Sequence, residues 1–136
     1  YYKFTGVPAG FAYSVEPAPS NAYFYTPTVW TIPSLESHAN RQSFVAKRKL
    51  FAVSGRVTNP AGTIGLGSVR MSLYDGSGAL VKAVTTSSNG NYSLADIPGG
   101  SNYRLVPTKA GLTFTPAARS YTNLPSNLTL QNFTGK

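Results

Sequence analysis

Residues 91–107 read NYSLADIPGGSNYRLVP, and residues 1–17 read YYKFTGVPAGFAYSVEP. At a constant offset of 90, Tyr2 meets Tyr92, Pro8 meets Pro98, Gly10 meets Gly100, Tyr13 meets Tyr103 and Pro17 meets Pro107. After one gap the offset is 89: Thr26-Pro27 meets Thr115-Pro116, Leu35 meets Leu124 and Phe44 meets Phe133. Self-similarity at a fixed period marks a repeat architecture. The second copy carries about forty residues, 51–90, ahead of the shared half, and the first copy has no counterpart for them. The expected organisation is one and a half domains. Residues 1–48 form the C-terminal part of a first repeat, and residues 49–136 form a complete one.

Working outward from the repeat, helical periodicity is absent. Short alternating segments are separated by Gly, Pro, Asn and Ser. The complete copy predicts strands at Ala52–Thr58, Ser68–Tyr74, Leu80–Thr86, Asn91–Leu94, Tyr103–Pro107, Phe114–Tyr121 and Leu128–Thr134. Asp75-Gly76-Ser77-Gly78 is expected to close a hairpin, and Asn89-Gly90 is a type I′ turn signal because both residues tolerate positive φ. Pro107 and Pro116 end strands, since proline cannot donate to a ladder. About seven short strands with frequent turns indicate an all-β fold, an Ig-like or transthyretin-like β-sandwich. The expected core is Val53, Val57, Val69, Met71, Leu73, Val81, Val84, Tyr92, Leu94, Ile97, Tyr103, Leu105, Phe114, Leu128, Leu130 and Phe133, with Arg70, Ser72 and Tyr74 on the opposite face of their strand.

The first copy retains equivalents of the last four strands only: Tyr2–Phe4, Tyr13–Pro17, Tyr23–Trp30 and Arg41–Lys47. Four strands with one face uncovered expose apolar surface and unpaired edges, which invite pairing with another chain. Such a half-sandwich is not expected to be stable alone.

Composition narrows the function classes. Twelve Lys+Arg against four Asp+Glu give a net charge of +8, and a basic surface can attract nucleic acid, anionic glycans or lipid headgroups. The basic residues are scattered (Lys3, Arg41, Arg56, Arg70, Lys82, Arg104, Lys109, Arg119), and only Lys47-Arg48-Lys49 forms a run, between the two copies. That run is read as a solvated linker, with an anion-binding patch as the alternative, and Lys47–Phe51 as a hinge. There is no cysteine, so no disulfide holds the fold, which is compatible with an extracellular home. No stretch approaches the roughly 18 apolar residues of a membrane span. The chain begins at Tyr1 with no visible signal peptide and is expected to be a processed product or part of a longer chain.

The stretch VSGRVTNPAG, followed by TTSSNGNYSLADIPGGSNYRLVPTKAGLTFTP, resembles the carboxypeptidase regulatory-like domain, within the transthyretin-like and Cna-B-like β-sandwiches. YYKFTGVPAG resembles the same family's NGNY–F–IPxG–Y block. The likeness covers nearly all of residues 51–136 and most of 1–46. The loop Asn59–Gly67 departs from the family pattern by extra glycines, read as loop variation. The resemblance implies tandem modules in secreted or surface proteins of bacteria, with a structural or adhesive role rather than an enzymatic one. Some Cna-B-like relatives carry Lys–Asn isopeptide cross-links assisted by a buried acid; Lys47 or Lys49, Asn132 and Asp96 are the residues to compare.

Catalysis is poorly supplied. The acids are Glu16, Glu36, Asp75 and Asp96, and the one histidine, His38, lies in the polar stretch SLESHANRQ without a nucleophile elbow nearby. Calcium needs six or more oxygen ligands, and Asp75 with Ser77 offers few; one histidine and no cysteine make a zinc site unsupported. No cofactor and no metal are expected. Asn91-Tyr92-Ser93, Asn127-Leu128-Thr129 and Asn132-Phe133-Thr134 fit the N-glycosylation sequon, a short pattern frequent by chance.

Aromatic residues crowd the incomplete copy: Tyr1, Tyr2, Phe4, Phe11, Tyr23, Phe24, Tyr25 and Trp30. Aromatics are enriched at interface hot spots, so this set is the expected assembly interface. The expected function is a structural, non-catalytic extracellular protein, a subunit or segment of a surface fibre or tandem array. Its half-domain is covered by a neighbouring repeat of the same chain or by self-association. A spacer or adhesin fragment is a second reading. A carbohydrate-binding module using Trp30, Tyr23, Tyr25 and Tyr121 is a third. No specific nucleic-acid partner is expected.

Overall fold

The computed structural model describes residues 1–39 and 42–136. Its elements are strands: β1 Tyr13–Val15, β2 Tyr23–Thr26, β3 Trp30–Ile32, β4 Val45–Arg48, β5 Leu50–Thr58, β6 Arg70–Asp75, β7 Leu80–Thr85, β8 Asn91–Pro98, β9 Tyr103–Thr108, β10 Phe114–Thr115, β11 Arg119–Tyr121 and β12 Phe133–Gly135. No helix occurs among the described residues. Two compact units are present: Tyr1–Ser20 with Phe24–Lys47, and Asn21–Tyr23 with Arg48–Lys136.

The second unit is a β-sandwich. One sheet has the order β10-β12-β5-β8 and the other β11-β9-β6-β7. Alternation decides what lies between them. Val53, Val57, Tyr92, Leu94, Ile97 and Phe133 point inward from the first sheet, and Met71, Leu73, Tyr103 and Leu105 from the second, with Val69 and Leu124 closing the cluster. Each fully buried aliphatic side chain contributes about 1.5–3 kcal/mol by leaving water. Residues 21–23 count with this unit because the Lys49 amide donates to Ala22 O at 2.8 Å and Asn21 Nδ2 to Asn123 O at 3.3 Å.

Several expectations are corrected here. Phe114–Tyr121 is not one strand. It breaks after Thr115 at Pro116, which has no N–H, and its two pieces join different sheets. Leu128–Thr134 is strand only from Phe133. Before it, Asn127 Oδ1 accepts from the Ala52 amide and Asn132 Oδ1 from the Arg56 amide, interleaved with backbone bonds from Leu128 N to Ala52 O, Ser54 N to Leu128 O and Gln131 N to Ser54 O, and Leu130 adopts φ 56°. Leu130 and Val81 are exposed rather than core, and Ser72 is buried. Val84, Phe114 and Leu128 pack on the core only in part. Asn89-Gly90 is not a hairpin turn. Only Gly90 has positive φ, and the turn, closed by Gly90 N to Ser87 O, carries the chain from the sheet of β7 to that of β8. The Asp75–Gly78 hairpin is as expected, with Asp75 Oδ1 accepting from the amides of Ser77 and Ala79.

The first unit has two strand pairs, β1 with β3 and β2 with β4. Tyr2–Phe4, expected as strand, has no ladder, because its counterpart β8 is paired by β5, for which residues 1–47 hold no equivalent. Tyr23–Trp30 is broken at Pro27, and Tyr13–Pro17 stops at Val15. The expected strand Arg41–Lys47 begins at Arg41, outside the described residues; strand starts at Val45.

Candidate assembly interface

Several hydrogen bonds of the first unit have counterparts in the second. Tyr13 Oη donates to Pro8 O at 2.9 Å, and Tyr103 Oη to Pro98 O at 2.8 Å, a tyrosine reaching back to a backbone carbonyl five residues upstream. The Gly10 amide donates to Leu35 O at 3.0 Å, and the Gly100 amide to Leu124 O at 2.9 Å. The Leu35 amide donates to Phe11 O at 3.0 Å, and that of Leu124 to Ser101 O at 2.9 Å. Tyr2 Oη donates to Gln42 O, as Tyr92 Oη does to Gln131 O. Strand pairing follows suit: Tyr13 faces Ile32 and Val15 faces Trp30, as Tyr103 faces Tyr121 and Leu105 faces Arg119. Both Thr-Pro bonds, Thr26-Pro27 and Thr115-Pro116, are cis.

Cover is what differs. Tyr2 is 44% exposed against 6% for Tyr92, Phe4 65% against 0% for Leu94, and Val7 38% against 0% for Ile97. No described residue of the first unit is buried. In the second unit β5 and β6 supply Val53, Val57, Met71 and Leu73, which fill the space over these positions.

Of the eight aromatic residues singled out from the sequence, the structure gathers two. Tyr2 lies 5.9 Å from Phe4, ring centroid to ring centroid, and 6.0 Å from Phe44. Phe44 belongs to the same cluster although the sequence reading did not name it, and it matches Phe133 in the repeat; Val7, also unnamed, is exposed where its match Ile97 is buried. Tyr1, Phe11 and Phe24 are exposed and Tyr25 is half-buried. Tyr23 lies under the Arg48 guanidinium at 5.9 Å in the second unit. Trp30 is half-buried, and its indole N–H donates to Ser43 O at 3.0 Å. The equivalent Arg119 donates to Asn132 O from Nη2 at 2.8 Å. Trp30 thus performs a structural task that its counterpart also performs, which weakens its claim as a sugar platform.

The basic run divides. Lys47 and Arg48 are exposed on β4, whereas the Lys49 backbone is bonded on both sides, its amide to Ala22 O and its carbonyl to the Gly99 amide at 2.9 Å.

The sites weighed for chemistry are not assembled. No group of three His, Cys, Asp or Glu able to hold a metal exists among the described residues. The Ser77 hydroxyl, then the Ala79 amide, hold the Asp75 carboxyl below its ordinary range, so the turn itself occupies this carboxylate. Asp96 is largely exposed, 3.9 Å from Lys82, and Asn132 Oδ1 serves the Arg56 amide, so neither meets the demands of an isopeptide site. Burial pushes the Tyr121 phenol up to about 12, with Arg119 acting the other way. Burial, and then the charge of Tyr121, raise Tyr92 further.

Residues 49–134 match the family described as BOS complex subunit NOMO1-like, second beta sandwich domain. The chain belongs to this family. It is a β-sandwich family, as the resemblance implies, though the matching description is not the carboxypeptidase regulatory-like one. No curated protein matches the sequence. Among solved structures, the fold is similar to the Bacillus anthracis TIE protein, with TM-score 0.64 and 17% identity over 94% of this chain and 25% of that one. It is also similar to BcpA, the major pilin subunit of Bacillus cereus, with TM-score 0.51 and 16% identity over 89% of this chain and 40% of that one. The chain therefore spans less than half the length of either. At these identities the likeness shows the fold. No helix among the described residues is long and apolar enough to cross a membrane.

Proposed function

We propose that the chain is a structural, non-catalytic module of an extracellular, bacterial surface fibre or tandem β-sandwich array. Residues 1–48 are the C-terminal part of one repeat, completed by a neighbouring domain or subunit, and residues 49–136 are a complete repeat. The observation that carries this reading is the mismatch between bonding and cover. The first unit makes the tyrosine, turn and strand-pair bonds that its counterpart makes, yet Tyr2, Phe4 and Val7 stand in water where Tyr92, Leu94 and Ile97 are buried. An exposed contiguous apolar face of this kind marks an interaction surface. The fold shared with BcpA, a pilin subunit, supports the fibre setting.

Limited proteolysis and sedimentation of residues 1–136 test this proposal. Cleavage confined to residues 1–47, or self-association through them, is expected. A monomer resistant to protease along its whole length contradicts it.

A further inference from the structure

The sheet β11-β9-β6-β7 of the second unit has two unlike faces. Met71, Leu73, Tyr103 and Leu105 turn inward to the core. On the other side the register sets Tyr74 opposite Arg104, Ser72 between Ala83 and Val106, and Arg70 opposite Thr108. Arg70 and Arg104 are exposed, and Tyr74, Ala83 and Val106 are half-buried. Ser72 is buried, and its Oγ accepts from Arg70 Nε at 3.3 Å. The outer face is thus a floor of small side chains with a guanidinium at each end and a tyrosine opposite one of them.

These two cations differ from their neighbours in how they are used. Elsewhere in the unit, cationic side chains donate to backbone carbonyls: Arg56 to Asn89 O, Lys82 to Ala95 O, Lys109 to Gly67 O and Arg119 to Asn132 O. Arg104 makes no side-chain hydrogen bond or ion pair among the described residues, and Arg70 commits only Nε. Neither acid of the unit shares the face. Asp96 is on β8, 3.9 Å from Lys82, and Asp75, opposite the buried Tyr103, is held by its own turn. In a chain of net charge +8, nothing in the unit neutralises this surface.

Spacing selects the partner. The Cα atoms of Arg70 and Arg104 are roughly 14 Å apart, four residues along the strand and one strand across. Duplex DNA carries a charge every ~1.7 Å and is bound by neutralising many phosphates together. Anionic membranes draw clusters of about four to eight Lys/Arg. Two guanidinia this far apart suit neither. Each offers a planar fork that matches one carboxylate, and a half-buried tyrosine on a flat sheet offers an apolar face to a sugar. We infer that this face docks a linear acidic polysaccharide whose carboxylates are separated by neutral sugars. Arg104 and Arg70 each take a carboxylate, and Tyr74 takes a sugar ring. The surface lies within residues 70–106 and is independent of how residues 1–48 are covered.

Hyaluronate, with a carboxylate on alternate sugars, is the probe. Titrated into residues 1–136 at low ionic strength, it is expected to shift the amide resonances of Ser72, Tyr74 and Arg104, and neutral dextran is expected to shift none. Arg104→Gln is expected to weaken binding about tenfold or more, the loss of one charge-assisted pair, and Tyr74→Leu by a smaller factor. Lys47→Gln removes the same charge from exposed β4 and is expected to leave affinity nearly unchanged. Equal losses from Arg104→Gln and Lys47→Gln would mean that net charge alone acts, and would overturn the face. Absence of binding, or shifts confined to residues 1–48, overturns it as well. Equal or tighter binding of duplex DNA or phosphatidylserine vesicles through the same amides overturns the assignment to a polysaccharide.

Discussion

The two units share a bonding scheme and differ in whether it encloses anything. Tyr13 and Tyr103 make the same bond to a proline carbonyl, yet Tyr103 is buried and Tyr13 is half-exposed. The difference shows that the shared half of the sequence encodes local geometry, namely turns, tyrosine bridges and strand pairing. The residues ahead of it, β5 to β7, encode burial. Backbone hydrogen bonds contribute only about 0.5–1.5 kcal/mol net each, so a unit with two strand pairs and without the core has little to hold it.

Paired substitutions at equivalent positions sharpen or break this comparison. The largest contrast is expected at the repeat's phenylalanine. Phe133→Ala empties a fully buried site and is expected to lower stability by about 3–5 kcal/mol. Phe44→Ala, at a half-exposed ring, is expected to shift the main unfolding transition by less than about 1 kcal/mol. Urea unfolding followed by circular dichroism reads both. Similar losses would mean that the first unit has a core of its own.

Next come the glycines. Gly10 and Gly100 both adopt left-handed backbone, φ 78° and 74°, where a Cβ costs roughly 1–2 kcal/mol. A Cβ on Gly100 also meets that of Ala22 at 2.6 Å, while one on Gly10 meets nothing. Gly100→Ala is thus expected to lower the melting midpoint further than Gly10→Ala; the reverse order would contradict the packing described for residues 21–23. The tyrosines follow. Tyr103→Phe is expected to cost about 1 kcal/mol through loss of a hydrogen bond at a buried ring, and Tyr13→Phe less than about half of that.

The smallest effect is alkaline. Burial raises Tyr121 to about 12, so the fold holds this proton more tightly than the unfolded chain, whose phenols titrate near about 10. The associated stability is intact below about pH 10 and is lost as pH rises through about 12. Tyr121→Phe is expected to reduce that loss, Tyr92 supplying the remainder, while leaving neutral-pH stability nearly unchanged, since the buried hydroxyl has no hydrogen-bond partner among the described residues. Stability against pH, with tyrosinate absorbance alongside, checks both statements.

Much of this was legible in the sequence. The offset of 90 located Pro8, Gly10 and Tyr13 on the bonds they make, and alternation found Val53, Val57, Met71 and Leu73. Other features were not legible, for physical reasons. Leu124 is fully buried but sits among Asn123, Pro125 and Ser126, where no period-two pattern exists to mark it. Leu128–Thr134 looked like strand because it alternates, whereas Asn127 and Asn132 bond to β5 through their side chains, which composition does not reveal. Among the aromatic residues of the first copy, content alone drew attention to Trp30 and Tyr25. The exposed face was better marked by position, through Phe44 and Val7, whose partners Phe133 and Ile97 lie in the core.

Hydrogen exchange on residues 1–136 tests the central claim most directly, because Gly10 and Gly100, and Leu35 and Leu124, donate equivalent bonds at nearly equal distances. If cover and not bonding separates the units, Gly100 and Leu124 exchange only through global unfolding, and Gly10 and Leu35 exchange faster by a factor on the order of 1,000. Equal protection at the paired positions would contradict it.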